Sequence, residues 1–400
     1  MNHTENLRIE SKKKSQFSLF IIALILTGFN LRIALTSLPP LVGDIERWTG
    51  LGAIGAGLLT TLPVLAMGIV APIVPGLTNR FGRENTIIWS LGMLTLGIGG
   101  RFWGDSLTVL YFSTTVAGCG IAVTGAVLPG LIREHFASRA GMMTGLYAGA
   151  MALGATIAAG AAVPLRDTFD SWEKSLSVWA LPAFVAFLFW IPLSRANKKH
   201  QGQQSRISLP WRHPVAWLIT GYVTIQSLLF FSQMAWLAPL YVANHFSEKE
   251  AGFLFSIYSI AGLVATVLIP TLSDRWKDKR PIMIGSVCCA LTGLSLLTFI
   301  PATLSWFTVI ILGFGQTASF SLGLVLLVAF APQPRIAGQL TAMAFLVAYI
   351  VAAIGPIALG ALQEITNGYS VPFTLLLIIN AVSLIFAFQL KPGLRVDENQ

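Results

Sequence analysis

One positively charged side chain, Arg32, lies inside a long apolar segment of this 400-residue sequence. An arginine at membrane depth costs roughly 2.5–3.5 kcal/mol to insert, so it normally faces a cavity or a partner. Its planar guanidinium can bind a carboxylate or another pair of oxygen atoms in a bidentate way. Arg32 therefore predicts a binding site for an anionic or electron-rich solute. The alternative is that it extends to the outer membrane interface or supports its own helix through backbone carbonyls.

Two polar neighbours of Arg32 lie on the same segment. Thr36 follows four residues later and shares the face of Arg32 on a helix, whereas Asn30 lies about 160° away around the axis. We expect both to be pocket residues that do not touch the same atom of the solute.

The composition places this segment, and the elements around it, in a lipid bilayer. Hydrophobic residues make up 54% of the chain and charged residues 11%, and the mean hydropathy is +0.72. A soluble domain carries roughly 25% charged residues because water must wet its surface. Most of the exterior must therefore face lipid, which indicates an integral membrane protein.

Apolar segments long enough to cross a membrane occur twelve times. A helix needs roughly 20 residues to cross about 30 Å of hydrocarbon, and the absence of strict alternation favours helices over barrel strands. The sequence thus predicts an all-α membrane protein with twelve transmembrane helices. We place these spans near residues 17–38, 53–74, 86–103, 106–130, 141–163, 175–193, 214–239, 251–272, 281–300, 304–330, 338–362 and 371–390.

The distribution of lysine and arginine predicts the orientation. With the N-terminus inside, 20 of the 26 basic residues lie on the cytoplasmic side and 5 lie in external loops. This bias is typical of cytoplasmic loops, so we expect both termini inside a bacterial plasma membrane. The net charge of +9 is thereby explained without nucleic acid as a partner.

The longest internal loop divides the spans into two groups of six. Residues 194–213 are polar and basic and predict a cytoplasmic linker. The six-helix bundles on its two sides cover residues 17–193 and 214–390, with short cytoplasmic tails at 1–16 and 391–400.

The two halves resemble each other at an offset of 195 residues. Ala56–Leu59 aligns with Ala251–Leu254, and Pro75–Phe81 aligns with Pro270–Trp276. Because the copies are six spans apart, they have the same orientation, which indicates a parallel repeat of two pseudo-symmetric bundles.

The repeated segment between spans 2 and 3 resembles the loop signature of the major facilitator superfamily, roughly G-x-L-x-D-R-x-G-R-R. This chain keeps Leu77, Arg80, Gly82 and Arg83 but has Asn79 at the acidic position. In the family this acid helps to lock the cytoplasmic side, so the resemblance implies a weaker lock here. The second copy keeps both charges, and the implied gating residues are Asn79, Arg80, Arg83, Asp274 and Arg275.

Within the superfamily, four segments resemble the cyanate and 2-nitroimidazole permease group: Gly28–Ile45, Ala56–Gly68, Arg80–Asn85 and Gly118–Phe136. The resemblance implies a secondary transporter that works by alternating access around a central site. It also implies a small polar or anionic solute, either cyanate-like or nitroimidazole-like, and related permeases carry an arginine in the same L-R-x-x-x-T context as Arg32.

The family lines its cavity mainly with spans 1, 4, 7 and 10. This adds three polar residues to the candidates on span 1, so that the predicted solute-binding set is Arg32, Asn30, Thr36, Thr124, Gln226 and Gln316. Other polar or aromatic residues at membrane depth are more commonly packing residues; they include Thr60, Thr61, Tyr147, Gln233, Trp236, Tyr258, Tyr349 and Asn380.

Other function classes fit the sequence less well. A membrane-embedded enzyme needs a nucleophile with a base, or a metal cluster, at membrane depth, and the spans contain no such motif. We therefore expect a monomeric non-enzyme without cofactor or metal. All 17 acidic residues lie in tails, loops or span ends, which disfavours proton symport through a buried carboxylate. An efflux permease for drugs or metabolites, or a sensor of the same shape without flux, remains as an alternative.

Overall fold

The structure is a computed structural model that describes residues 3–136, 140–196, 209–273, 275–331 and 333–396. All regular elements in these ranges are helices. The predicted linker lies mostly outside them, and so does one predicted gating residue, Asp274.

In the described ranges the N-terminal half contains nine α-helices, three of them short connecting helices, and three single 3-10 turns. The α-helices are α1 (His3–Thr36), α2 (Val42–Thr49), α3 (Ala53–Val70), α4 (Val74–Phe81), α5 (Arg83–Gly100), α6 (Leu107–His135), α7 (Ala140–Phe169), α8 (Trp172–Ser177) and α9 (Ala180–Ala196).

The C-terminal half contains six long helices. They are α10 (Pro214–Ala243), α11 (Glu248–Ser273), α12 (Arg280–Phe299), α13 (Ser305–Ala329), α14 (Pro334–Thr366) and α15 (Ser370–Gln389).

Eleven of the described segments are long and apolar enough to cross a membrane. The predicted third span corresponds to α5, which is a helix of 18 residues but is not among the eleven. Its first turn contains Arg83, Glu84 and Asn85, and these residues lower its mean hydropathy. Because α5 packs along α6 and α9 inside the N-terminal half, that half still consists of six long helices. The all-α membrane fold predicted from the sequence is confirmed.

The two halves contact each other along two pairs of helices, α3 with α14 and α7 with α11. The Thr61 hydroxyl donates to the Ala353 carbonyl at 2.7 Å, and the Ser256 hydroxyl donates to the Thr156 carbonyl at 3.0 Å. These contacts lie between the middle of the helices and the predicted external end. The halves are therefore closed at that end.

The predicted cytoplasmic end is more open. A Cβ atom built on Gly145 of α7 or on Gly338 of α14 would meet no described heavy atom within 4 Å. Among the described residues, the hydrogen bonds and ion pairs that join the halves lie between the middle of the helices and the predicted external end, so the halves are less tightly joined toward the other end. With the predicted orientation, the conformation is open to the cytoplasm.

We expect Gly57→Ala to destabilise the closed external end. A Cβ atom at Gly57 would lie 2.6 Å from the Pro356 carbonyl oxygen and 3.0 Å from the Ile357 Cα. These are backbone atoms, so the substitution must push α3 away from α14. The measurement is the distance between spin labels at the external ends of these helices, which should lengthen.

Gly145→Ala is the matched control for this prediction. It makes the same change within a helix of the same half, but its Cβ meets open space, so the label distance should stay as in the wild type. An unchanged distance in Gly57→Ala would contradict the close packing at this end.

Candidate functional site

Arg32 lies at the interface between the two halves, surrounded by aromatic side chains. The Phe230 ring of α10 lies under the guanidinium, with 4.8 Å from Cζ to the ring centroid. The side chains of Tyr147 of α7, Tyr258 of α11 and Tyr349 of α14 lie near it. We call these five residues the Arg32 cluster; two come from the N-terminal half and three from the C-terminal half.

The environment of Arg32 leaves its hydrogen-bonding capacity available. The side chain is half-buried, and no oxygen atom of the described residues accepts a hydrogen bond from it. A cation–π contact stabilises the charge by about 0.5–2 kcal/mol without using any of the five N–H donors of an arginine. The donors can therefore bind oxygen atoms of a solute that enters between the halves.

Three glutamines extend from the Arg32 cluster into the C-terminal half. The Tyr258 hydroxyl donates to Gln233 Oε1 at 3.2 Å, and Gln233 Nε2 donates to Gln316 Oε1 at 3.1 Å. Gln316 Nε2 in turn donates to Gln226 Oε1, also at 3.1 Å. All four side chains are buried. We call this chain of hydrogen bonds the glutamine relay.

The direction of the glutamine relay determines what each end can offer. Because Tyr258 donates its proton to Gln233, its oxygen presents lone pairs to Arg32 or to a solute. At the other end, Gln226 Nε2 is buried without a hydrogen-bond partner among the described residues. A buried unsatisfied donor costs about 1–3 kcal/mol, so this end also favours an acceptor from water or a solute.

Two predicted residues of α1 use their side chains within the N-terminal half. Asn30 is fully buried, and its Nδ2 donates to the Pro182 carbonyl of α9 at 3.0 Å. The Thr36 hydroxyl donates to the carbonyl oxygen of Arg32 at 3.0 Å. Asn30 thus joins α1 to α9, and Thr36 bonds the backbone of its own helix.

Thr124 of α6 also makes helix contacts. Its hydroxyl lies 2.7 Å from the Ser90 hydroxyl of α5 and donates to the Gly120 carbonyl at 2.8 Å. Of the predicted solute-binding residues, the structure therefore brings Arg32, Gln226 and Gln316 into one network, whereas the other three lie in contacts between or along helices.

Five further residues complete this network. Spans 5, 8 and 11 contribute one tyrosine each, and span 7 contributes Phe230 and Gln233. The sequence indicates four of these residues as polar or aromatic residues at membrane depth but does not assign them to the site: Tyr147, Gln233, Tyr258 and Tyr349. It does not single out Phe230. Helical spacing does place Phe230 and Gln233 beside the predicted residue Gln226, since positions 226, 230 and 233 lie on one face of a helix.

The predicted gating residues of the first loop lie on the surface of α4 and α5. Asn79 and Arg80 are exposed, and the Arg80 guanidinium lies over the Phe81 ring at 5.3 Å. Arg83 forms an ion pair with Glu134 of α6 at 2.6 Å. This ion pair lies within the N-terminal half. In the second copy of the motif, Arg275 is exposed.

A group of charged side chains joins the halves at the predicted external end. Arg47 bonds Asp44 at 2.6 Å and Glu248 at 2.7 Å. Arg166 bonds Glu248 at 2.8 Å and also forms an ion pair with Asp44. We call these four residues the external ion cluster. Glu248 belongs to α11 and the other three to the N-terminal half, so the cluster holds this end closed.

Two six-helix halves with a polar site at their interface are the architecture of membrane transporters built from parallel repeats. The sequence profile described as Major Facilitator Superfamily matches residues 20–356 and, in a second match, residues 223–399. The chain belongs to this superfamily and is a multi-pass membrane transporter.

Characterised and uncharacterised bacterial transporters are similar over nearly the whole chain. The uncharacterized transporter YycB of Bacillus subtilis is 33% identical over 91% of this chain and 91% of its own length. The 2-nitroimidazole transporter of Escherichia coli is 30% identical over 92% of this chain and 93% of its own. The cyanate transport protein CynX of Escherichia coli is 27% identical over 87% and 91%. The resemblance expected from the sequence is thereby confirmed.

A solved transporter structure has the same fold. The crystal structure of the D-xylose–proton symporter superposes with a TM-score of 0.78 over 95% of this chain and 99% of that chain. The sequence identity is 14%, so this similarity concerns the fold alone.

Proposed function

We propose that the protein moves a small solute with exposed hydrogen-bond acceptors across the membrane, either the two oxygens of a nitro group or the terminal atoms of cyanate, with Arg32 as the anchor. The solute is nitroimidazole-like or cyanate-like. The observation that carries this proposal is the Arg32 cluster, in which a guanidinium with no hydrogen-bond acceptor among the described residues lies between the two halves. The names of two relatives, a 2-nitroimidazole transporter and a cyanate transport protein, agree with such a solute.

The chemistry of the Arg32 cluster matches a flat solute that carries negative charge on oxygen. The fork of guanidinium N–H groups fits two oxygens of a nitro group or a carboxylate. Aromatic side chains such as Phe230 and Tyr349 provide faces against which a planar ring can pack. The Tyr258 oxygen can accept a hydrogen bond from a ring N–H of the same solute.

Alternating access follows from the way both halves contribute to the site. Arg32 and Tyr147 move with the N-terminal half, whereas Phe230, Tyr258 and Tyr349 move with the C-terminal half. A change in the angle between the halves would open the site to one side and then to the other. The closed external end and the divergent cytoplasmic end correspond to one of these two states.

The test is a thermal-shift screen of the purified protein in detergent. The panel holds cyanate, 2-nitroimidazole, small monocarboxylates and neutral analogues, with imidazole as the matched partner of 2-nitroimidazole. A ligand that binds only the folded state raises the Tm by mass action. Stabilisation by the oxygen-bearing members, and not by imidazole, is the expected result. Uptake into proteoliposomes above the level of protein-free liposomes then separates a transporter from a sensor.

The pattern of stabilisation also tests the role of Arg32. Stabilisation by the anions, or by 2-nitroimidazole but not by imidazole, supports anchoring by the guanidinium. Equal stabilisation by 2-nitroimidazole and imidazole would mean that stacking dominates and that Arg32 belongs to the gate. If no member of the panel raises the Tm, the proposed solute class is wrong.

A further inference from the structure

We infer that this transporter exchanges solute for solute much faster than it moves solute in one direction, because the empty protein changes conformation slowly. This inference rests on the proposed function and concerns the return step of the transport cycle. The observations that carry it are the positive charge of Arg32 and the neutral character of the side chains around it.

The charge of Arg32 is retained throughout the cycle. Its neighbours in the Arg32 cluster are one phenylalanine and three tyrosines, none of which carries a negative charge at neutral pH. The described carboxylates that join the halves lie at the predicted external end and have other partners: Asp44 and Glu248 pair with Arg47 and Arg166, and Glu364 accepts a hydrogen bond from the Ile54 amide. An arginine does not release its proton in a protein, so protonation cannot neutralise the site during the return.

Hydration of Arg32 must change when the protein moves between its two open states. In the present conformation the residue keeps part of its surface exposed and lies between the two halves. Alternating access requires an intermediate in which both ends are closed around the site. In that intermediate the guanidinium of an empty protein loses hydrogen bonds to water, which is costly for a charge at membrane depth.

A bound solute removes this cost. Oxygen atoms of the solute accept the hydrogen bonds that water made to Arg32, and a negative charge compensates the guanidinium. The loaded protein therefore closes around a paired charge, whereas the empty protein closes around an unpaired one. The aromatic faces compensate only part of this difference. We therefore expect the loaded protein to change conformation at least about tenfold faster than the empty protein, because a modest difference in barrier height changes a rate tenfold.

The first test compares exchange with net movement in proteoliposomes that contain the full-length protein. Entry of radiolabelled cyanate is measured into vesicles loaded with unlabelled cyanate and into vesicles loaded with chloride, and 2-nitroimidazole is tested in the same way. Entry should be at least about tenfold faster into the vesicles that hold the same solute. Equal rates above the protein-free background would overturn the inference while leaving the proposed transport function intact.

The second test needs no solute and uses a matched pair of variants. Phe230→Glu places a carboxylate beside Arg32, and Phe230→Gln places a neutral side chain of the same size there. A donor and an acceptor dye at the external ends of α3 and α14 report the rate at which the empty protein opens and closes. The Phe230→Glu variant should interconvert at least about tenfold faster than Phe230→Gln, and equal or slower interconversion would overturn the inference.

The two tests separate the failure of this inference from that of the proposed function. If no panel member stabilises the protein, the proposed solute class is wrong, but the comparison of the Phe230 variants still decides whether the unpaired charge slows the empty protein. If cyanate or 2-nitroimidazole binds and net entry matches exchange, only the inference about exchange is wrong.

Discussion

Replacing Arg32 by glutamine is expected to raise the Kd for the transported solute by at least about a hundredfold. The substitution removes two charge-assisted hydrogen bonds, each worth about 1.5–3 kcal/mol, and each 1.4 kcal/mol corresponds to a factor of ten in Kd. Folding should be little affected, because Arg32 has no ion pair among the described residues and glutamine is cheaper to bury than a charge. Ligand titration by thermal shift and the elution profile in detergent measure the two effects.

Arg32→Lys is the control that separates charge from geometry. Lysine keeps the positive charge but loses the planar fork that matches two oxygen atoms. We expect binding between that of the wild type and that of Arg32→Gln. Wild-type affinity in Arg32→Gln would remove Arg32 from the binding site, and equal affinity of the glutamine and lysine variants would mean that the fork, not the charge, determines binding.

The architecture was predictable from the sequence because the bilayer imposes simple rules on it. Long apolar segments must be helices, and the parallel internal repeat indicates two bundles with the same orientation. The weakest part of this prediction was the third span. Its helix, α5, begins with charged residues, and its packing between α6 and α9 within one half depends on tertiary contacts that hydropathy does not record.

The site was predictable only in part. Arg32 stood out because a charge inside an apolar segment is rare. The partners of Arg32 were harder to identify, since the rotation of each helix about its axis decides which polar residues meet. The Asn30 side chain bonds α9. Tyr258 lies near Arg32 and donates a hydrogen bond to Gln233, although its span was not expected to line the cavity.

The external ion cluster was not predicted at all. Arg47 and Glu248, which bond each other, are 201 residues apart along the chain, and basic residues in loops indicate the orientation of the chain but not their own partners. Opposite charges that lie far apart in sequence form pairs only once the helices are packed, so composition and spacing give no signal for them.

Glu248→Gln is expected to shift the protein toward the state that is open at the predicted external end. Glu248 is the member of the external ion cluster contributed by α11, and it bonds both Arg47 and Arg166. Its side chain and that of Arg166 are 21% and 22% exposed, so the interaction is stronger than that of a fully exposed pair. A loss of about 1.5 kcal/mol changes the equilibrium between the two states about tenfold.

Cysteine accessibility measures this shift. The three native cysteines, Cys119, Cys288 and Cys289, are replaced by serine, and a cysteine is introduced at Thr156, where α7 contacts α11 in the closed end. A membrane-impermeant maleimide added from outside should modify this cysteine at least about fivefold faster in Glu248→Gln than in the parent protein, because the rate follows the open population. Faster modification from that side also tests the predicted orientation.

Glu250→Gln is the matched control, since it makes the same substitution in the first turn of the same helix. The Glu250 carboxylate accepts hydrogen bonds from Ser247, which belongs to the same half, so its loss breaks no connection between the halves. The modification rate in this variant should equal that of the parent. Equal rates in both variants would show that the external ion cluster does not hold the external end closed, and the helix contacts of α3 with α14 and of α7 with α11 would then carry that role alone.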